Sequence, residues 1–143
     1  MIEIVNRQRQ KPMDAQRWQS FTEKALKASG KAGHGVTIAF ISNRQIQSLN
    51  KRFRGINRAT DVLSFPSDNE AFEEDMGPSL GEIAISVERA ASQANENGLE
   101  FDDEIAQLIL HGLLHLSGYD HDTDNGEMNR LELRLRRRLG IAG

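Results

Sequence analysis

"DDEIAQLILHGLLHLSG", residues 102–118, predicts a helix that is apolar on nearly every side. At 100° per residue, one stripe of this helix carries Ile105, Leu108, Ile109, Leu113 and Leu116. Leu110 and Leu114 fall on the far side. A helix without a polar face is a buried helix. We therefore predict that this segment is the central helix of the protein, with Asp102 and Asp103 at its start and Gly118 after its end.

In the rest of the chain, short apolar strands alternate with amphipathic helices. Strands are predicted over residues 2–6, 35–41, 60–66 and 80–86. Helices are predicted from Asp14 to Gly30, from Ser42 or Asn43 to Gly55, over 87–97 and over about 126–139. An acidic loop is predicted between the last two strands, over 67–79. This order predicts a single α+β domain over residues 1–143, with a mixed, mostly parallel sheet of about four strands and the central helix packed against it.

The C-terminal helix has one apolar stripe and several arginines. The stripe is made of Met128, Leu131, Leu135 and Leu139. The arginines, which we expect to point outward, are Arg134, Arg136, Arg137 and Arg138. Basic side chains in a last turn favour the helix dipole.

Composition limits the classes of protein and of site that remain. The chain has 143 residues, 38% of them hydrophobic, and no cysteine, so a metal site must be built from His, Asp and Glu. No apolar run approaches the roughly 20 residues that cross a bilayer, and the first residues lack the apolar block of a signal peptide. We expect a cytoplasmic protein.

Charge is distributed unevenly, although the net charge is only −3. Five basic residues and no acidic residue occur within residues 44–58, namely Arg44, Lys51, Arg52, Arg54 and Arg58. A charge run of this kind is usually a solvated helix face. The basic cluster would be relevant to function if a catalytic site lies beside it.

Three of the four histidines lie within "HGLLHLSGYDH", residues 111–121. His111 and His115 are four residues apart on the central helix, so both imidazoles project from one face and can reach one metal ion. Gly118 can adopt the left-handed conformation that ends a helix, and the reversed chain could then return His121 as a third ligand. The segment therefore predicts a three-histidine metal site.

This spacing matches the zinc-protease pattern H-E-x-x-H-x-x-G-x-x-H except at one position. Gly112 stands where those proteases carry the glutamate that acts as general base. Three imidazoles leave a fourth position open for water, so a hydrolytic nucleophile is available, but the carboxylate that manages protons in peptide cleavage is missing. The pattern predicts a zincin-like arrangement and favours hydrolysis of some bond other than a peptide.

The chain resembles the YbeY-type endoribonucleases and rRNA maturation factors. The resemblance is carried by "SLNKRFRGINRATDVLSFP" (48–66), "LGEIAIS" (80–86) and "HGLLHLSGYDH" (111–121). It implies one zinc ion on His111, His115 and His121, and a functional role for Arg54 in the same cleft. Many relatives have "GDI" where this chain has "GEI", so Glu82 is expected to place a longer carboxylate near the site.

The resemblance also implies cleavage of single-stranded RNA, a role in maturing the 3′ end of 16S rRNA, and a part in ribosome quality control. The partners it implies are the small ribosomal subunit and assembly factors, including GTPases. With Arg54 as anion clamp and Arg58 and Lys51 at the rim, we expect a metal-dependent ribonuclease. The nucleophile is either metal hydroxide or the 2′-hydroxyl of the RNA. Two alternatives remain: a zinc metalloprotease lacking the usual glutamate, and a non-catalytic ribosome-assembly factor with a structural zinc.

Overall fold

Four strands and five helices occupy the part of the chain that the computed structural model describes, residues 1–67, 78–119 and 125–142. The strands are β1 (Ile2–Asn6), β2 (Gly35–Ile41), β3 (Val62–Pro66) and β4 (Ser79–Ser86). The helices are α1 (Ala15–Ala28), α2 (Asn43–Arg54), α3 (Val87–Asn97), α4 (Phe101–Leu116) and α5 (Glu127–Leu139). The acidic loop predicted over 67–79 lies almost entirely outside the described residues.

The four strands form one sheet in the order β1-β2-β4-β3. β1 pairs with β2 and β2 with β4 in parallel, whereas β3 pairs with β4 in antiparallel fashion. The predicted α+β class and the mixed, mostly parallel sheet are therefore confirmed. β3 is an edge strand of this sheet, and its register places Val62 opposite Ile85 and Phe65 opposite Glu82.

The two faces of the sheet are covered by different helices. On one face, Ile83 and Ile85 of β4 pack in the main hydrophobic core with Ile109 and Leu113 of α4. On the other face, a smaller cluster contains Ile41, Ile46, Leu63 and Ala84. α4 and α2 therefore lie on opposite sides of the sheet, with β3 at the edge that both helices approach.

α4 is buried over most of its surface, as its sequence predicts, and His111 and His115 are among its partly exposed residues. Its first stripe packs against the sheet, and Leu110 and Leu114 pack with Met128 and Leu135 of α5. Gly118 follows the helix with φ of 98°, which is the left-handed conformation expected of it. Within the described residues, none of the helices is both long enough and apolar enough to cross a bilayer.

Local sequence signals fix where α2 begins and ends. Ser42 caps α2 by accepting from the backbone N–H of Gln45, whose side chain accepts in return from the Ser42 N–H. Gly55 closes the same helix in the left-handed conformation. Arg54 therefore occupies the last turn of α2, and the chain from there leads into β3. This local geometry sets the position of the basic residues relative to the edge strand.

Candidate metal centre and arginine-lined cavity

His111 and His115 meet on one face of α4, as their spacing predicts. Their Nε2 atoms are 3.0 Å apart, and both side chains are partly buried. Two imidazoles bound to one tetrahedral zinc ion place their nitrogens about 3.3 Å apart, given Zn–N bonds of about 2.0 Å. The pair therefore fits two positions of such a metal site.

Glu132 of α5 orients the first of these imidazoles. Nδ1 of His111 donates to Oε1 of Glu132 at 2.7 Å, and Arg136 donates to the other carboxylate oxygen at 2.9 Å. In the neutral ring, a proton held on Nδ1 leaves the lone pair of Nε2 to a metal ion. Glu132 is 4% exposed, so water has little access to compete for these hydrogen bonds.

Sequence reasoning missed Glu132 and misplaced Arg136. The prediction that Arg136 points outward is wrong, because its guanidinium is partly buried against Glu132. A signal was available: Glu132 stands four residues after Met128 and three before Leu135, on the buried side of α5. A carboxylate within an apolar stripe requires a partner, and His111 and Arg136 are its partners.

The third predicted ligand, His121, lies outside the described residues. Within residues 1–67, 78–119 and 125–142, no group of three His, Cys, Asp or Glu side chains could hold a metal ion. The three-histidine site therefore stays a prediction, and its described part is the pair on α4.

Gly112 has a packing role that the motif comparison does not reveal. A Cβ atom built on Gly112 would lie 2.8 Å from Cδ1 of Ile83 and 3.0 Å from its Cγ2. A glutamate at this position would point into β4, on a different side of α4 from the two imidazoles. The glycine is therefore required for close contact between α4 and the sheet. This packing explains the glycine independently of the missing general base.

A cavity of about 280 Å³ opens beside His111. Asp61 and Val62 line it from the start of β3, and Glu104 lines it from the first turn of α4. Burial raises the pKa of Glu104 above its usual 4.5, the charge of Asp61 raises it further, and Arg136 opposes both. The Gln93 amide can donate to both carboxylates, with its nitrogen 3.2 Å from Asp61 Oδ2 and 2.9 Å from Glu104 Oε1.

A second cavity, of about 340 Å³, contains Arg54. Three arginines contribute to its lining together with polar side chains: Arg54, Arg58, Arg89, Asn50, Asp61 and Gln93. Among the described residues, none of the three arginines lies within ion-pair distance of a carboxylate. Because Asp61 borders both cavities, the arginine cavity adjoins the one beside His111.

The predicted basic residues are only partly brought together. Arg54 and Arg58 line the same cavity, whereas Lys51 is an exposed residue outside its lining. Arg89 enters from α3 and was not predicted. Its position four residues before Gln93, on the same side of α3, becomes informative only when α3 is known to pack beside α2.

Glu82 lies on the other face of the sheet from the histidine pair. Consecutive residues of a strand point to opposite faces, and its neighbour Ile83 faces Gly112 of α4. Glu82 is exposed and stands opposite Phe65 in the β3–β4 register. Its carboxylate therefore does not lie beside the histidine pair, contrary to the expectation that it is near the site.

The known proteins that match this chain in sequence share one description. A family model described as endoribonuclease YbeY matches residues 3–140. The endoribonuclease YbeY of Koribacter versatilis is 45% identical over 123 residues, covering 85% of this chain and 74% of its own. The protein of the same name from Thermoanaerobacter sp. is 36% identical over 157 residues, covering 98% and 99%.

Among solved structures, the chain is similar to the solution structure of TM1509 from Thermotoga maritima. The TM-score is 0.66 at 28% sequence identity, over 97% of this chain and 89% of that one. The matches of sequence and of fold thus extend over nearly the same residues. The chain belongs to the endoribonuclease YbeY family.

Proposed function

We propose that this protein is a metal-dependent endoribonuclease that cleaves phosphodiester bonds of single-stranded RNA. The observation that carries the proposal is the arrangement of two cavities sharing Asp61. One of them holds His111, a member of the paired imidazoles, and the other holds three arginines. A cation site next to an anion site suits a reaction at a phosphodiester.

In this proposal, His111, His115 and His121 hold one zinc ion. A zinc ion held there would supply Lewis acidity at the phosphate. Glu132 keeps the His111 proton on Nδ1 and so keeps Nε2 available, and Arg136 holds Glu132 in place. The chain's own contribution at this centre is thus to orient the imidazoles and to fix a tautomer.

Arg54 binds the phosphate in two-point fashion, with Arg58 and Arg89 beside it. Guanidinium groups match phosphate geometry and stabilise negative charge that develops during phosphoryl transfer. The three arginines come from α2, from the segment before β3 and from α3, so the folded chain gathers them around one cavity. Lys51, one turn before Arg54, would contact the RNA backbone further out.

The cellular role that we propose is 3′-end maturation of 16S rRNA and ribosome quality control in the cytoplasm. The support is the family to which the chain belongs and the name of its relatives. The partners would be the small ribosomal subunit and its assembly factors.

The test combines RNA cleavage with metal analysis. Wild type should cut single-stranded RNA and carry one zinc ion, and His115→Ala should lose both properties. Arg54→Ala should keep the metal and lose about a hundredfold or more in cleavage rate. Arg44→Ala is the matched control, because Arg44 is an exposed arginine of α2 outside the cavity. A His115→Ala variant that loses the metal but cleaves like wild type would refute the proposal.

The same preparations separate the alternatives. A metalloprotease would cut unstructured peptides and leave single-stranded RNA intact, whereas an assembly factor would bind RNA and cut neither. The position of Gly112 against Ile83 argues against a protease, since no base could be restored there without moving the sheet. The product ends identify the nucleophile, because a 2′,3′-cyclic phosphate requires attack by the 2′-hydroxyl.

A further inference from the structure

Phe53 is an exposed aromatic residue that the proposed metal and phosphate sites do not use. It lies in the last turn of α2 with 59% of its surface exposed, the highest value among the large internal hydrophobic residues described. Its ring contacts that of Phe65 at a centroid distance of 5.3 Å and an angle of 66°. A partly buried ring thus supports an exposed one.

The aromatic pair lies close to the proposed site but on the other side of the edge strand. Val62 of β3 lines the cavity beside His111. Phe65, three residues later, packs with the cluster on the α2 face. β3 therefore separates the cavity beside His111 from the two rings, and a polynucleotide that crosses this edge can contact both.

The charges around Phe53 favour a polyanion. The guanidinium of Arg52 lies 5.9 Å from the centroid of the Phe53 ring, and Arg54 follows in the chain toward the arginine cavity. One acidic residue is also close, because Glu82 of β4 stands opposite Phe65 in the strand register. A flat apolar surface bordered by arginines matches a ligand with phosphates and exposed flat rings, which is single-stranded nucleic acid.

We propose that Phe53, supported by Phe65, is a stacking platform for an unpaired base of the RNA substrate. This inference rests on the proposed endoribonuclease function. Bases within a duplex are already stacked on their neighbours, so only an unpaired base can occupy the ring. The platform would therefore contribute to the preference for single strands, separately from the arginines that hold phosphates.

The test measures binding of a single-stranded RNA that carries 2-aminopurine. Phe53→Leu keeps an apolar contact to Phe65 but removes the flat ring, so it should fold like wild type. We expect it to bind about tenfold or more weakly and to lose the fluorescence quenching caused by stacking. Phe53→Trp should retain both properties. Leu133→Ala, which alters an exposed hydrophobic residue of α5, is the matched control.

Salt dependence and competitors complete the experiment. Phe53→Leu should leave the slope of log affinity against log salt unchanged, whereas Arg54→Ala should reduce it by about one phosphate contact. Affinity for duplex RNA should be equal in wild type and Phe53→Leu. The platform would be overturned if Phe53→Leu kept the affinity and the quenching of wild type, or if it lost affinity equally for single-stranded and duplex RNA. It would also be overturned if polyglutamate, a polyanion without bases, competed for the protein as well as unlabelled single-stranded RNA does.

The outcomes also separate this inference from the proposed function. If wild type cleaves RNA and Phe53→Leu binds and cleaves identically, the platform is wrong and the endoribonuclease stands. If wild type binds and quenches the RNA but does not cleave it, and Phe53→Leu loses both binding and quenching, the platform stands as a binding site and the endoribonuclease is wrong. If wild type does not bind single-stranded RNA, both are wrong.

Discussion

Glu132 is the residue whose role is most directly open to measurement. Its carboxylate accepts from His111 and from Arg136 in a nearly buried position. In Glu132→Gln the side chain can still accept one hydrogen bond, but it no longer attracts the imidazole proton electrostatically. We expect zinc affinity to fall about tenfold to a hundredfold, measured by competition with a chromophoric chelator.

The control for this substitution is Glu96→Gln, an exposed carboxyl of α3. It should bind zinc like wild type. If Glu132→Gln also binds zinc like wild type, the carboxylate is only a structural partner of Arg136.

The stability of the protein should depend on the glycine at position 112. Alanine is favoured over glycine within a helix by about 1 kcal/mol, but a methyl group here meets Cγ2 of the fully buried Ile83 at 3.0 Å. Steric strain of this kind costs about 1–3 kcal/mol. We expect Gly112→Ala to lower the free energy of unfolding by about 1 kcal/mol, measured by urea denaturation.

The partner substitution Ile83→Val tests the cause. It removes Cδ1, which is the atom nearest the added methyl at 2.8 Å. The double variant should therefore be more stable than the sum of the two single losses predicts. Additive losses would show that the contact with Ile83 is not the reason for the glycine.

At the scale of elements, the segment before β3, α3 and α4 meet at two carboxyl groups, those of the partly buried Asp61 and the buried Glu104. Burial and the charge of Asp61 raise the pKa of Glu104, so the folded state holds this proton more tightly than the unfolded chain does. The stability contributed by the protonated group is present below about pH 4.5 and is lost as the pH rises through the folded-state pKa. Glu104→Gln cannot ionise, so we expect it to melt at a higher temperature than wild type near pH 7.5, with the difference vanishing near pH 4.

The melting experiment is done without metal, so that zinc binding does not contribute. In an Asp61→Asn background the effect of Glu104→Gln should shrink, because one cause of the raised pKa is removed. Glu96→Gln, on the exposed side of α3, should melt like wild type at every pH. A Glu104→Gln variant less stable than wild type at pH 7.5 would mean that the ionised carboxylate is stabilised by its partners.

Elements defined by local patterns could be predicted from the sequence, and their assembly could not. The alternation of strands and helices, the buried character of α4 and the left-handed Gly118 all follow from periodicity and chain geometry. The strand order β1-β2-β4-β3 does not, because it depends on which strand edges meet in the folded chain. Three-dimensional packing supplies that information.

The site divides in the same way. His111 and His115 were predictable as a pair, because both lie on one helix four residues apart. Glu132 and Arg89 come from other helices, and their meeting with His111 and Arg54 depends on tertiary packing. Sequence spacing therefore identifies site residues that share one helix or strand. It misses site residues that belong to other helices.

For the whole molecule, the arrangement about β3 links the proposed sites. The edge strand has the cavity of His111 on one face and the Phe53–Phe65 pair on the other, while Asp61 before it borders the arginine cavity. RNA bound across this edge would contact a base platform, a phosphate clamp and a metal within a few nucleotides. The strand order leaves the antiparallel strand β3 at this edge of the sheet.

Metal binding should stabilise the whole fold, since the predicted ligands belong to α4 and to the chain between α4 and α5. Zinc at about a hundred times its Kd adds about 2.7 kcal/mol to the free energy of unfolding, which raises the Tm on the order of 10 °C for a chain of this size. His115→Ala should abolish the shift, and His34→Ala, in the loop between α1 and β2, should retain it. His121→Ala is the decisive variant: a smaller shift identifies the third ligand, and a shift equal to that of wild type excludes His121 from the metal site.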